Sequence, residues 1–313
     1  MTLPYLDRSE LRGLLPMRAA IDALERAFSA PPSAPPRANH SLDNGQLLVM
    51  PAWSEVGVGV KLVTVAPENP DRGLPLIQGL YLLFDPDDLR PRGLIDGAAL
   101  TELRTGAVSG LATRHLANRG PSHVVVFGSG TQAGSHVEAM ATVLDVRRVT
   151  IVAHREDDAF LERCRALGVE AGWGSPDDVA SADVVCTCTT SGTPLFDGDA
   201  LRPGTHVNAI GTHSPERREL DGRTMERGTV VVETLEAALA EAGEVFLALE
   251  EGVLQREELV TLSAVVGGEG GRRSPEDITI FKSVGVGFED LAAATAAFER
   301  LGSEGTGAGR ARS

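Results

Sequence analysis

The chain has 313 residues, a formal net charge of -15 and a hydrophobic content of 42%. This length allows two domains of ordinary size, and the acidic balance argues against nucleic acid or an anionic membrane as a partner. No apolar run is long enough to cross a membrane, and the N-terminus lacks the pattern of a signal peptide. The three cysteines cannot form a full disulfide framework, so we expect a cytoplasmic protein. The sequence has no cluster of His or Cys residues that would predict a metal site.

The first third of the chain predicts helices at both ends and strands between them. Apolar residues recur at helical spacing near the N-terminus and again before residue 118. Between these helices, turn signals separate the apolar runs, which favours antiparallel hairpins over βαβ units. The predicted helices cover 8–15, 16–28 and 98–118, and the predicted strands cover 46–50, 57–65, 76–84 and 93–95.

The segment 123–155 predicts one βαβ unit: an apolar strand, a glycine turn, an amphipathic helix and a second apolar strand. Gly128, Gly130 and Ala133 occupy the three small-residue positions of the dinucleotide fingerprint. The first glycine allows a tight turn, the second lets backbone N–H groups approach a pyrophosphate, and the alanine permits close packing of helix on strand. The segment therefore predicts a dinucleotide site, and the alternative is a glycine turn in a domain without a nucleotide.

The end of the second strand bears on the choice of cofactor. An NAD site typically has an acidic residue there, which accepts a hydrogen bond from the ribose 2′-hydroxyl. This chain has His154 and Arg155 instead. An arginine can pair with a 2′-phosphate, so NADP(H) is favoured over NAD(H). The acidic residues 156–158 follow at once and oppose this interpretation, and a solvated loop arginine is the alternative.

Beyond residue 155, predicted helices and apolar strands alternate, which is typical of a doubly wound parallel sheet. The strands end in polar or glycine residues, and Thr187 is a candidate for lining a ligand crevice there; β-branched strand filler is its alternative. Residues 302–313 have low complexity and predict a disordered tail. The predicted helices of this half cover 159–167 and 289–301, and the predicted strands cover 181–190, 205–210 and 229–232.

Three basic residues occur in sequence contexts that are unusual for an ordinary surface charge. Lys61 lies inside an apolar strand, Arg104 lies in the long helix, and Arg37 lies before the first predicted strand. If they converge, they suit a substrate carboxylate, which arginine binds bidentately; solvated surface cations are the alternative. His213 follows an apolar strand, where a histidine can exchange a proton near neutral pH. Its alternative is a loop histidine without a role.

Several motifs, spread in order over about residues 35–295, are specific in combination. They are Leu48-Val-Met-Pro-Ala-Trp, Val60-Lys-Leu-Val-Thr-Val-Ala-Pro-Glu-Asn-Pro, Gln78-Gly-Leu, Asp96-Gly-Ala-Ala-Leu-Thr-Glu-Leu-Arg-Thr-Gly-Ala, Gly128-Ser-Gly-Thr-Gln-Ala, Pro203-Gly-Thr-His-Val-Asn-Ala-Ile-Gly, Phe281-Lys-Ser-Val-Gly and Glu289-Asp-Leu. Together they resemble the ornithine cyclodeaminase/μ-crystallin family. The resemblance implies an α/β protein with a doubly wound, NAD(P)-binding Rossmann domain over 119–285. It also implies an α+β substrate-binding and dimerisation domain over 1–118 and 286–313, which forms a homodimer.

The resemblance also implies roles for individual residues. Arg37, Lys61 and Arg104 correspond by motif position to the residues that hold the substrate carboxylate in the family. The positions that correspond to cofactor contacts are Gly128, Gly130, Thr131, Gln132, His154, Arg155, Thr187, Val207, Ala209 and Val284.

Two departures from the family pattern concern the substrate. Ornithine cyclodeaminases carry a glutamate before Met-Pro that takes the distal amine of ornithine, and this chain has Leu48. They also carry an aspartate after Ile-Gly, where this chain has His213. Because a leucine cannot pair with a buried ammonium, these departures disfavour cyclisation of ornithine.

We therefore predict an NAD(P)H-dependent reductase that converts a small α-imino acid to the L-amino acid, the substrate being a ketimine or a cyclic imine such as pyrroline-2-carboxylate. NADP(H) is the preferred cofactor and NAD(H) the alternative. Arg37 and Arg104 would hold the carboxylate, Lys61 would polarise or protonate the imine, and His213 would relay a proton. The alternatives are an ornithine cyclodeaminase, an alanine-type dehydrogenase, and a crystallin-type protein that binds NADP(H) and a small ligand without turnover.

Overall fold

The computed structural model describes residues 3–31 and 33–308, with side chains up to residue 303. Contacts divide the chain into two compact units. Unit 1 combines the residues up to Arg104 with those from Val286 onward, and unit 2 is Thr105–Gly285.

The helices and strands follow one another through the chain as two series. The first series is β1 (Tyr5–Leu6), α1 (Arg8–Leu14), α2 (Met17–Ser29), β2 (Ala38–Leu42), β3 (Gly45–Ser54), β4 (Gly57–Val65), β5 (Ile77–Phe84), β6 (Pro91–Asp96) and α3 (Gly97–Leu116). The second series is β7 (Pro121–Phe127), α4 (Thr131–Val143), β8 (Asp145–Val152), α5 (Asp158–Arg165), β9 (Glu170–Trp173), β10 (Val184–Thr187), β11 (His206–Ala209), α6 (Gly222–Arg227), β12 (Gly228–Val232), α7 (Leu235–Glu241), α8 (Gly243–Glu250), β13 (Val260–Thr261), α9 (Leu262–Val266), β14 (Ile278–Lys282) and α10 (Gly287–Ala308).

Unit 1 is built on a sheet with strand order β1-β6-β5-β4-β3-β2. The pairs from β6 to β2 are antiparallel, as the hairpin prediction requires, and β1 joins β6 in parallel. Side chains alternate between a buried and a more exposed face along β4, which is the period of a half-buried strand. The helix α10 packs on β3, β4 and β5 and on α2, where the Phe28 and Phe288 rings meet edge to face at 4.8 Å.

Unit 2 is a parallel sheet with strand order β13-β12-β14-β11-β10-β7-β8-β9. The chain runs from β7 outward through β8 and β9, then returns to pair β10 with the other side of β7. This reversal is the switch point at which doubly wound sheets bind ligands, beyond the carboxyl ends of the strands. The predicted Rossmann fold is therefore confirmed, although the strand predicted over 181–190 is limited to β10.

The long helix α3 explains why the units divide earlier than the predicted boundary at residue 118. Its start is capped by Asp96, whose Oδ1 accepts from the N–H groups of Ala98 and Ala99. Its later turns contact α4: a Cβ on Gly106 would lie 2.2 Å from the Ser135 Oγ. The Ser109 Oγ and His136 Nε2 lie 2.9 Å apart. The second half of α3 therefore belongs to unit 2, and the boundary lies inside a continuous helix.

The C-terminal end differs from the prediction of a disordered tail. The helix α10 continues to Ala308 instead of ending near residue 301, and residues 309–313 of the predicted tail lie outside the described residues. Cys164, Cys186 and Cys188 are free thiols. In the described part of the chain, no helix combines the length and the apolar character that a bilayer span requires.

Candidate active site

The candidate site in unit 1 is organised around Lys61, which alternation places on the buried face of β4. Only 2% of this lysine is exposed. Its Nζ lies 2.9 Å from Oδ1 and 2.8 Å from Oδ2 of Asp290, a residue of α10 that is itself fully buried. A buried ammonium requires such a carboxylate, because removing either partner leaves an uncompensated charge in the interior.

Arg104 extends this pair into a cluster. Its Nη1 lies 2.7 Å from the Glu289 Oε2, and its Nε lies 3.3 Å from the Asp290 Oδ1. We call Lys61, Arg104, Glu289 and Asp290 the buried charge cluster, since each side chain is almost entirely shielded from solvent. The cluster combines two cations from β4 and α3 with two adjacent carboxylates from the first turn of α10.

The cluster sets the proton affinity of its lysine. The pKa of Lys61 is lowered to about 8, chiefly by burial and also by the positive charges of Arg104 and Arg37, against the opposing effect of Asp290. Arg37 is half-buried in the segment before β2, close enough for its charge to be felt at Lys61. The structure therefore brings Arg37 and Arg104 close to Lys61, whose lowered pKa makes it a stronger proton donor than an ordinary lysine.

The two carboxylates are the functional candidates for which the sequence predicted no role. They stand in one of the family-like motifs, between the buried residues Phe288 and Leu291. Two adjacent acids within an apolar helical stretch are a usable signal, because buried carboxylates need cationic partners. Their partners are 185 and 229 residues away along the chain.

The use of lysine in the chain is unusual. Of the 29 lysine and arginine residues, only Lys61 and Lys282 are lysines, and both are buried. The Lys282 Nζ lies 2.9 Å from the Glu244 Oε2 and donates to the Thr212 carbonyl at 2.7 Å. Lysine differs from arginine in that burial readily shifts its pKa. Each unit therefore holds one lysine, at a buried carboxylate.

The candidate cofactor site in unit 2 begins with the turn after β7. Gly128 has a φ of +105°, and a Cβ at this position would lie 2.7 Å from the Cys188 carbonyl oxygen. Gly130 precedes α4 with ordinary φ, no side chain caps the helix, and a Cβ there would meet no atom within 4 Å. The turn therefore presents open N–H groups at a helix N-terminus, which fits the pyrophosphate of a dinucleotide.

Two further side chains of this turn agree with a ligand at the same place. Thr131, the first residue of α4, is exposed. The Gln132 Oε1 is buried and accepts no hydrogen bond from the described residues. An unpartnered amide oxygen has a free energy cost that a ligand donor can remove. His154 and Arg155 follow β8 and are both exposed, at the strand end where a ribose would lie.

The remaining predicted cofactor residues are more enclosed. Val207 and Ala209 are fully buried in the core of unit 2. The hydroxyl of Thr187 donates to the Glu219 Oε2 at 2.7 Å, and the backbone N–H of Val284 donates to the Glu233 Oε2 at 2.9 Å. Any direct contact of Val207 or Ala209 with a cofactor would therefore involve the backbone.

Glu219 is a further residue that the sequence did not single out. Its carboxylate accepts from the hydroxyl and backbone N–H of Thr189 and from the backbone N–H of Gly211. These hydrogen bonds hold the loops after β10 and β11 together at the carboxyl edge of the sheet. His213 lies exposed on the loop after β11. Its neighbour Thr212 is tied to Glu244 and Lys282.

Comparison with known proteins identifies the family. The model of the ornithine cyclodeaminase/mu-crystallin family matches residues 5–305. The chain belongs to this family. A Δ(1)-pyrroline-2-carboxylate reductase from Bacillus cereus is 34% identical in an alignment of 321 positions that covers 96% of this chain and 98% of that protein.

Solved structures of the ornithine cyclodeaminase/mu-crystallin family share the whole fold. The Thermococcus litoralis Δ(1)-pyrroline-2-carboxylate reductase in complex with NADH and L-proline has a TM-score of 0.91 at 32% identity, covering 96% of this chain and 98% of that one. An archaeal alanine dehydrogenase dimer with bound NAD has a TM-score of 0.91 at 33% identity, covering 97% and 98%. These relatives bear out the predicted enzyme class, an NAD(P)-dependent oxidoreductase that acts on CH–NH or C=N groups.

One departure from the ornithine cyclodeaminases can be placed in this structure. Leu48, which stands where those enzymes carry a glutamate, is 8% exposed on β3 and pairs with Val63 on β4. Met50 pairs with Lys61 on the same buried face. The sheet surface beside Lys61 is therefore apolar at Leu48 and Met50.

Proposed function

We propose that this family member is an NAD(P)H-dependent reductase of a small cyclic α-imino acid and that its product is the L-amino acid. The observation that carries the proposal is the buried charge cluster, in which Asp290 holds the Lys61 ammonium beside Arg104, while the charge of Arg37 also acts on Lys61. The pyrroline-2-carboxylate reductases among the relatives support this substrate class.

The reaction assigns separate tasks to the residues of unit 1. The guanidinium groups of Arg37 and Arg104 hold the substrate carboxylate by charge-assisted hydrogen bonds. The protonated Nζ of Lys61 delivers a proton to the substrate nitrogen, and Asp290 keeps that ammonium in place. When bound, the dinucleotide supplies the hydride. His213 remains our candidate for relaying the replacement proton.

The apolar face beside Lys61 supports a substrate without a second ammonium. Leu48 and Met50 are buried on that face and would contact the methylene groups of a five- or six-membered ring. An ornithine side chain would place a charge against them, at a cost of several kcal/mol. Because an archaeal alanine dehydrogenase is among the relatives, reductive amination of pyruvate is the second candidate function.

The test is an NADPH and NADH oxidation assay with the purified full chain. The substrates are Δ1-pyrroline-2-carboxylate, Δ1-piperideine-2-carboxylate, and pyruvate with ammonia, and ammonia release from ornithine is followed in parallel. We expect the highest kcat/KM with a cyclic imine. Activity confined to pyruvate with ammonia would favour the alanine-type dehydrogenase. Activity confined to ornithine would overturn the role given to Leu48. No activity with any of these substrates would favour a binding protein.

The preference for NADP(H) depends on Arg155. Because its guanidinium would pair with the 2′-phosphate, Arg155→Ala should raise the KM for NADPH about tenfold, equivalent to about 1.4 kcal/mol, and leave the KM for NADH unchanged. Arg147→Ala is the matched control, since Arg147 lies exposed on β8, the strand that Arg155 follows, and pairs with Asp145. Equal effects of Arg155→Ala on both cofactors would remove the argument for a 2′-phosphate contact.

We also propose a homodimer that forms through the outer face of the unit 1 sheet. Leu62 and Leu80 face each other across β4 and β5 and are 43% and 44% exposed. An apolar patch of this kind is typical of an interface, and the archaeal alanine dehydrogenase is a dimer.

The variant Leu62→Glu/Leu80→Glu tests this interface. It should give monomers in light scattering, because it places two charges in a dry interface. The control is Leu167→Glu, which changes an equally exposed leucine of unit 2 and should leave the dimer intact. A double variant that stays dimeric would exclude this face.

A further inference from the structure

Tyr81 is a buried residue beside the charge cluster for which no role has yet been assigned. It lies on β5 in register with Lys61 on β4 and is 0% exposed. Its hydroxyl has no hydrogen-bond partner among the described residues. An unsatisfied buried hydroxyl is costly, so each one in a folded protein requires an explanation.

The space for this hydroxyl is created by Gly59. A Cβ on Gly59 would lie 2.0 Å from the Tyr81 Oη, so even an alanine at this position would displace the phenol. The ring therefore reaches across β4 on the buried face, two residues from Lys61.

Asp290 is the candidate hydrogen-bond acceptor for the Tyr81 hydroxyl. Burial and the negative charge of Asp290 raise the pKa of Tyr81 well above its ordinary value, so the phenol stays protonated and remains a donor. Asp290 in turn holds the ammonium of Lys61. When that ammonium gives up its proton, the carboxylate loses its closest counter-charge and keeps the Arg104 Nε at 3.3 Å.

We propose that Tyr81 is a positioning residue for proton transfer, whose hydroxyl donates a hydrogen bond to Asp290 once Lys61 has given its proton to the substrate nitrogen. The inference rests on the proposed function. The proton leaves the Lys61 Nζ, which becomes a neutral amine, while Asp290 remains a carboxylate and Tyr81 keeps its own proton. The hydroxyl thus stabilises the state that follows the transfer.

The direction of the effect on Lys61 follows from this arrangement. Because the hydrogen bond to Asp290 forms when Lys61 is neutral, it stabilises the deprotonated state, so the hydroxyl lowers the pKa of Lys61. Removing it should raise that pKa by about one unit, the equivalent of one charge-assisted hydrogen bond. The charged and titratable groups around Lys61 that stay in place are Asp290 and Glu289 from α10, Arg104 from α3 and Arg37 from the segment before β2.

The test is the titration of the two lysines in protein labelled with ¹³Cε-lysine, compared between the wild type and Tyr81→Phe. Because the chain contains only Lys61 and Lys282, two signals report the two sites. We expect the Lys61 midpoint to rise from about 8 and the Lys282 signal to stay unchanged. The matched control is Tyr5→Phe, which alters the other, exposed tyrosine and should change neither signal.

Two further readouts separate positioning from a purely structural role. The Tm of Tyr81→Phe should be unchanged or higher, because an unpartnered hydroxyl is removed. Its kcat for imine reduction should fall about tenfold, with the alkaline limb of the pH profile moved upward together with the Lys61 midpoint. A lower Tm with an unmoved Lys61 midpoint would overturn the proposal.

The titration is independent of catalysis. If the wild type reduces no imino acid, the proposed function fails while the lysine signals still test the link between Tyr81 and Lys61.

If Tyr81→Phe does not fold, 3-fluorotyrosine in the Tyr5→Phe background replaces it. The fluorinated phenol is a stronger donor and should lower the Lys61 midpoint; no shift would equally overturn the proposal.

Discussion

Lys61→Met is expected to lower kcat/KM for imine reduction about a thousandfold, within the range that general acids contribute. The methionine retains much of the side-chain volume and apolar stem but removes the proton that the substrate nitrogen receives. The KM for the dinucleotide, whose candidate turn lies in unit 2, should stay within about twofold, as expected for independent sites. Steady-state kinetics with both reactants varied measures the two effects separately.

The same substitution has a second consequence, for stability. Without the ammonium, Asp290 loses its closest cation, so the free energy of unfolding should fall by about 3–5 kcal/mol. Lys61→Met/Asp290→Asn removes both charges and should recover most of this loss in urea unfolding, but no activity. Recovery of activity in the double variant would show that Lys61 only neutralises Asp290.

Gly130→Ala is expected to weaken dinucleotide binding about thirtyfold, equivalent to about 2 kcal/mol, without loss of stability. The backbone at Gly130 has a φ of -84°, which alanine adopts readily, and its Cβ would meet no protein atom within 4 Å. The added methyl group therefore obstructs only a ligand that approaches the helix N-terminus closely. Fluorescence titration with NADPH and thermal unfolding without ligand measure the two quantities.

Two other glycines of unit 2 provide control substitutions for Gly130→Ala. Gly172→Ala adds a methyl group to β9, again with no atom within 4 Å, and should change neither binding nor stability. Gly128→Ala should lower stability as well as binding, because φ is +105° and the Cβ would approach the Cys188 carbonyl. Full dinucleotide affinity in Gly130→Ala would mean that the pyrophosphate does not lie at this turn.

The fold was predictable where a local pattern matched the final environment. The predicted strand 57–65 coincides with β4, because its alternation reflects one buried face. By contrast β2 was not predicted, since all five of its residues are exposed and only pairing with β3 makes it a strand. The periodicity of α3 predicted a helix, but it could not indicate that the turns from residue 105 onward contact α4.

The residues of the candidate site also differ in whether a local sequence pattern predicts them. Lys61 was predictable because a cation inside an apolar strand is anomalous in its own segment. Its partner Asp290 was not, because the two residues are 229 positions apart and no local rule pairs them. Tyr81 is a further example: a tyrosine in a strand is ordinary, and only the structure shows that its hydroxyl reaches over Gly59.

The distribution of the two lysines also determines how a protease can attack the folded chain. A lysine-specific endoprotease needs an extended, accessible segment around its target bond, so neither Lys61 nor Lys282 can be cut in place. Because unit 1 contains one lysine and unit 2 the other, each cut reports the opening of a different unit. The two cuts release fragments of very different length, so a single gel lane would show which unit opens first.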